Sequence, residues 1–139
     1  MESFFPKLID EGYQVTSSST PKYNCIAWAA MDDNRWWWPD TQNQYFWPNE
    51  ISRSETIESF IEAFQMLGYT VCEDARFEEG HEKVAIFTDQ YDKPTHAARQ
   101  LPSGKWTSKL GKMVDIEHGL KGVEGVHYGE VRVILRRRI

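Results

Sequence analysis

Cysteine is nearly absent: of 139 residues only Cys25 and Cys72 carry a thiol. Two cysteines do not make a disulfide framework, so the chain is expected to rely on an ordinary core in a reducing compartment. No apolar run approaches the roughly 20 residues of a membrane-spanning helix. The stretch Met1-Glu2-Ser3-Phe4-Phe5-Pro6-Lys7 lacks the basic flank and long apolar segment of a cleaved leader. The expectation is a cytoplasmic protein, with leaderless export through a contact-dependent machine as the alternative. Excess positive charge is missing too. With 16 basic and 21 acidic residues the net charge is −5, which argues against nonspecific nucleic-acid binding through counterion release. The one basic run, Arg136-Arg137-Arg138, reads as a solvated strand end. Paired metal-ligand spacing is lacking as well, because His81, His118 and His127 fall in separate acidic or Gly-rich segments. They read as solvated or structural, with no metal ion and no cofactor expected.

The length suits one domain with one core, spanning 1–139. Residues 2–11 suit a short helix, and 14–22 a polar connection. Ile57, Phe60, Ile61, Phe64 and Leu67 recur at helical spacing, which predicts a helix over 55–67 with Ser54 as its cap. Beyond it the pattern turns to strands over 69–72, 83–88, 95–101, 105–110 and 130–135, with a short helix capped by Asp115 between the last two. Helices followed by a mostly antiparallel sheet make an α+β domain.

The most informative residue is Cys25, in Tyr23-Asn24-Cys25-Ile26-Ala27-Trp28-Ala29-Ala30, where a polar loop gives way to a compact apolar helix. Unpaired N–H groups at a helix start favour negative charge, and the thiolate is the nucleophilic form of cysteine. A free cysteine is also often just a small buried hydrophobe, so a histidine partner decides between the two readings. Cys72 follows Tyr69-Thr70-Val71 and precedes Glu73 and Asp74, a context that predicts an inert thiol.

His96 opens the strand His96-Ala97-Ala98-Arg99-Gln100-Leu101, which turns through Pro102-Ser103-Gly104 and returns as Lys105-Trp106-Thr107-Ser108. Proline and glycine at those positions predict a three-residue hairpin loop. In that register His96, Ala98, Gln100, Trp106 and Ser108 share one face. A thiol, a base and a group orienting the base make a nucleophilic site. The candidates are Cys25 as nucleophile, His96 as base, and Ser108, Gln100 or Asp115 as orienter.

A cysteine starting a helix, then a hairpin whose first strand begins with histidine and whose second carries a polar residue twelve positions on, resembles the papain-like fold. The likeness is to NlpC-type cell-wall peptidases and related amidases. His96, Ala97-Ala98, Gly104, Trp106 and Ser108 fall on that hairpin's positions, although Ile26 stands where a small residue is usual and Ser108 where His, Asn or Gln is usual. The resemblance covers about residues 23–110 and implies a papain-like core with helices packed on an antiparallel sheet. By it, Cys25 is the nucleophile and His96 the base.

Trp36-Trp37-Trp38-Pro39 and Tyr45-Phe46-Trp47-Pro48 crowd four tryptophans into a loop that prolines keep from becoming a helix or central strand. Trp36, Trp37, Trp38 and Trp47, with Trp106 on the His96 face, are the candidate substrate contacts. The opposing reading makes the loop tryptophans core staples. Three functions follow. The first is a cysteine-dependent hydrolase or acyltransferase cleaving a peptide, amide or ester through a thioester, with no nucleic acid and no membrane as partner. The second is a non-catalytic binding module holding a partner with the aromatic loop, and the third a toxin-like effector amidase or deamidase.

Overall fold

Alternating residues that turn to opposite faces of one sheet organise the structure, a computed structural model that describes residues 4–139. Its elements are α1 (Lys7–Glu11), β1 (Tyr13–Ser17), α2 (Cys25–Ala29), α3 (Ile57–Gln65), β2 (Thr70–Cys72), β3 (His81–Thr88), β4 (Pro94–Gln100), β5 (Trp106–Lys109), β6 (Asp115–His118), a 3-10 turn (Leu120–Val123) and β7 (Glu130–Arg138). The seven strands form one open antiparallel sheet in the order β1-β6-β5-β4-β3-β7-β2, so the domain is α+β. Among the described residues no helix is long and apolar enough to cross a membrane.

Each face of the sheet has its own core. Ile86, Ala97 and Leu135 turn to one face, where α2, α3 and the aromatic loop deliver Ile26, Phe60, Phe64 and Trp47. Ala85, Phe87, Ala98 and Ile116 turn to the other, met by Phe5, Leu8 and Val123 from the α1 side. These two clusters are what the pleat requires when both faces are covered.

Several expected boundaries move. Residues 14–17 of the expected polar connection, together with Tyr13, form edge strand β1 against β6, because Tyr13 and Val15 alternate with polar residues. Asp115 caps no helix: Ile116 and His118 alternate on one face, and Asp115–His118 is a strand, the 3-10 turn starting only at Leu120. The 55–67 helix is shorter, and its cap is Thr56, whose Oγ1 accepts the Ser59 N–H at 3.3 Å, rather than Ser54. The first helix is confined to Lys7–Glu11, and residues 2–3 of its expected span lie outside the described residues. The hairpin turn closes through Leu101 N–H to the Lys105 carbonyl (2.7 Å), with Gln100 opposite Trp106 and Arg99 opposite Thr107.

Candidate active site

Asn24 sets the start of α2. Its Oδ1 accepts the N–H of Ala27 (3.1 Å) and of Trp37 (3.1 Å), and its Nδ2 donates to the Trp37 carbonyl (2.7 Å). One buried amide thus caps the helix and ties the aromatic loop to it. Cys25 follows as the first helical residue, 7% exposed. Burial pushes its thiol up to about 11, against the pull of the N–H groups of Ala97, Ile26 and Cys25 itself and of the Lys109 charge. The expectation of a thiolate is therefore corrected: a five-residue helix has few aligned peptides, and loss of water outweighs its N-terminal donors. The resting sulfur is a thiol. Cys72 is half-buried, its Sγ 3.5 Å from the Asp74 carbonyl, and burial raises it too, although Lys83 opposes.

On the other strand pair, His96 is fully buried and its Nε2 lies 2.9 Å from Ser108 Oγ. Ser108 Oγ lies 2.6 Å from His118 Nε2, and His118 Nδ1 2.6 Å from the Gly119 carbonyl. The proton order follows from the far end. A carbonyl only accepts, so His118 Nδ1 donates to it. Burial lowers His118 to about 4, so it is neutral near pH 7 and its Nε2 accepts from the Ser108 hydroxyl. Ser108 Oγ then accepts from His96 Nε2–H. Burial and the neighbouring His118 hold His96 well below the usual imidazole range, so its Nδ1 carries a bare lone pair. That Nδ1 is buried and has no hydrogen-bond partner.

The sulfur and this nitrogen lie on opposite faces of one strand. The N–H groups of Leu101, Arg99 and Ala97 point from β4 toward β5, but the β4–β5 ladder has only two pairs and stops before Ala98. The Ala97 N–H, which the β4–β5 pairs do not reach, favours the charged form of the Cys25 sulfur. That N–H belongs to the peptide joining His96 to Ala97. The His96 ring itself leaves β4 on the face opposite α2, edge-on to Phe87 (5.1 Å) and stacked on Tyr128 (ring centroids 4.0 Å apart, planes 8° apart). No hydrogen bond joins Cys25 to His96.

The other proposed orienters serve elsewhere. Gln100 shares the His96 face, but its Nε2 donates to the carbonyls of Ala75 (3.1 Å) and Gly104 (3.2 Å), pinning the hairpin turn. Asp115 faces α2: its Oδ2 accepts from Tyr23 Oη (2.6 Å) and from Ser17 Oγ, and its Oδ1 has no partner. Neither touches the imidazole. His118, read from sequence as solvated or structural, is the missed member of the chain of hydrogen bonds. Its signal was the alternation of Ile116 and His118 in a four-residue strand.

Trp37 and Trp47 are core residues, with Trp47 and half-buried Trp38 both against Phe60 (5.0 and 5.4 Å). Trp106 is buried on the His96 face. Trp36 is half-buried beside exposed Tyr45, at 6.0 Å. Trp37 lies next to the start of α2 through Asn24, but as packing rather than open surface. Surface cavities of about 700, 780 and 550 Å³ open beside Arg137, Tyr91 and Trp38 respectively, and none is lined by Cys25 or His96.

A protein-family model described as "Domain of unknown function (DUF7689)" matches residues 14–136. No curated protein and no solved structure matches the chain.

Proposed function

The chain belongs to the DUF7689 family, whose description states no activity, and we propose that it is a cysteine hydrolase or acyltransferase on a papain-like, NlpC-type core, working in the cytoplasm on an amide or ester bond. The observation that carries this reading is the unpartnered His96 Nδ1. A hydrogen-bond chain from the Gly119 carbonyl leaves it a base, on the strand whose Ala97 N–H acts on the Cys25 sulfur.

In the reaction His96 Nδ1 takes the thiol proton as sulfur attacks the carbonyl carbon. The oxyanion forms near the Cys25 and Ile26 N–H groups at the helix start. As the tetrahedral species collapses, the imidazolium returns the proton to the departing amine or alcohol, and a thioester remains on Cys25. Water or another acceptor then loses a proton to His96, attacks the thioester and regenerates the thiol. Ser108 and His118 stabilise the intermediate imidazolium by accepting along the chain. The step requires the His96 ring and the sulfur, which lie on opposite faces of β4, to close on one another where the β4–β5 ladder has ended, with the substrate supplying the binding energy.

A second reading, a non-catalytic binding module, is favoured by the buried, protonated thiol and the absence of a Cys25–His96 hydrogen bond. A small activated ester such as p-nitrophenyl acetate separates the two. On the hydrolase reading intact mass shows an acyl adduct that peptide mapping places on Cys25. Cys25→Ala abolishes it, and His96→Ala slows it by about 10²-fold or more. Acylation that survives Cys25→Ala, or none at all, leaves the binding module.

A further inference from the structure

Three neighbouring strands bring two arginines, a glutamate and a tyrosine to one end of the sheet face that carries α2 and α3. Val84 pairs with Arg99 on one side and Leu135 on the other, and Glu82, two residues earlier, pairs with Arg137. Directly paired residues share a face, so Arg99, Glu82 and Arg137 stand on the face of the core residues Val84 and Leu135. The β2–β7 register, with Val71 opposite Leu135, brings Tyr69 beside Arg137, whose guanidinium carbon lies 4.6 Å from the centre of the tyrosine ring.

This cluster is short of negative charge and of acceptors. Its one bonded carboxylate among the described residues is Glu82, whose Oε1 accepts from Arg137 Nε at 3.1 Å. Arg137 Nη1 donates to the Leu67 carbonyl (2.8 Å), but Nη2 has only the Met31 thioether sulfur, a weak acceptor 3.4 Å away. Arg99 makes no ion pair among the described residues, and its buried Nε has no hydrogen-bond partner. Tyr69 is 1% exposed, and its hydroxyl is also without a partner. Two guanidiniums thus share one carboxylate, and three donors have nothing better than a thioether to bond. Buried donors beside an unneutralised positive charge are costly unless an anion arrives. We propose that Tyr69, Arg99 and Arg137 form a binding site for an oxyanion, the phosphate or carboxylate group of a small ligand. The Tyr69 hydroxyl and Arg99 Nε donate to its oxygens, and Arg137 Nη2 exchanges the sulfur of Met31, 55% exposed just after α2, for a charge-assisted bond. Burial pushes the Tyr69 hydroxyl up and pulls Arg99 down, and each then senses the other, Glu82 and Arg137, in accord with one shared neighbourhood. The site is independent of the hydrolase reading, since none of its residues takes part in the Cys25 chemistry.

The probe is inorganic phosphate, with acetate as the carboxylate arm and chloride at matched ionic strength as the baseline, read by calorimetric titration and by melting temperature. Saturable binding with a Kd of about 10 mM or below, and a matching rise in melting temperature, is expected with phosphate, acetate or both. Which of them binds tells a phosphoryl ligand from a carboxylate one. Arg99→Met should weaken binding by about tenfold or more, since a charge-assisted contact is lost, and Tyr69→Phe by about threefold or more. Without anion Tyr69→Phe should melt no lower than the wild type, because the hydroxyl it removes bonds nothing, and it answers the question if Arg99→Met does not fold. No saturable binding beyond chloride, an affinity unchanged in the folded variants, or a Tyr69→Phe that melts lower without anion overturns the proposal.

Discussion

The Ser108 hydroxyl, on the His96 face, both accepts from one imidazole and donates to another, at 2.9 and 2.6 Å. Ser108→Ala strands His96 Nε2–H and His118 Nε2 in a dry core. We expect it to cost about 2–4 kcal/mol, because two buried polar groups lose their partners at once. Chemical denaturation checks this, and a loss below about 1 kcal/mol would mean that water replaces the hydroxyl. On the hydrolase reading the same substitution lowers kcat for ester cleavage more than it changes KM, since the chain acts on the base rather than on substrate binding. The hairpin register in the sequence was enough to place Ser108 opposite the histidine strand. His118 and Lys109 were not legible in that way. His118 read as solvated or structural and Lys109 carried no signal, and only the pairing of β5 with β6 buries them.

At the scale of elements, the site depends on a helix too short to be stable alone, so its cap and its contacts must hold it. Asn24 does both through three hydrogen bonds. Asn24→Ala removes the cap, about 1 kcal/mol, and leaves the Trp37 N–H and carbonyl buried without partners, so about 2–4 kcal/mol in all is expected. Thr56→Ala, which loses the α3 cap and hydroxyl contacts to Ser54 and Ser59 but no tie to another loop, should cost about 1 kcal/mol. Equal losses in paired denaturation curves would show that the tie to the aromatic loop contributes nothing. Helix α3 was legible because its apolar stripe repeats over nearly three turns. β1 and β6 were not, because a short alternation of four or five residues carries little signal and its meaning is settled by a partner strand some hundred positions away. The aromatic loop could be recognised as irregular, but not which indoles it buries. That choice belongs to Phe60 and Asn24, which sequence alone does not bring to it.

For the molecule as a whole, placing two neutral imidazoles inside one face of the sheet makes stability depend on pH in a window that its carboxylates do not share. His118 has a folded value of about 4 against an ordinary 6.5, because burial opposes its charge. Above pH 6.5 both folded and unfolded chains hold it neutral, and its full contribution is present. As pH falls from 6.5 toward 4 the unfolded chain takes up a proton that the folded chain refuses, so stability is lost on acidification. His96, held lower still by burial and by His118, acts in the same direction. The carboxylates with lowered values, Asp32, Asp74 and Glu78 among them, lose their contribution only as they protonate, mainly at more acid pH. Urea unfolding at pH 7 and pH 4.5 should therefore differ by about 2–3 kcal/mol for His118 alone. His118→Gln should flatten the dependence whatever it does to stability at pH 7. A pH-independent wild type across that window would mean that folded and unfolded chains take up protons alike, and that burial does not hold the two imidazoles below their ordinary range.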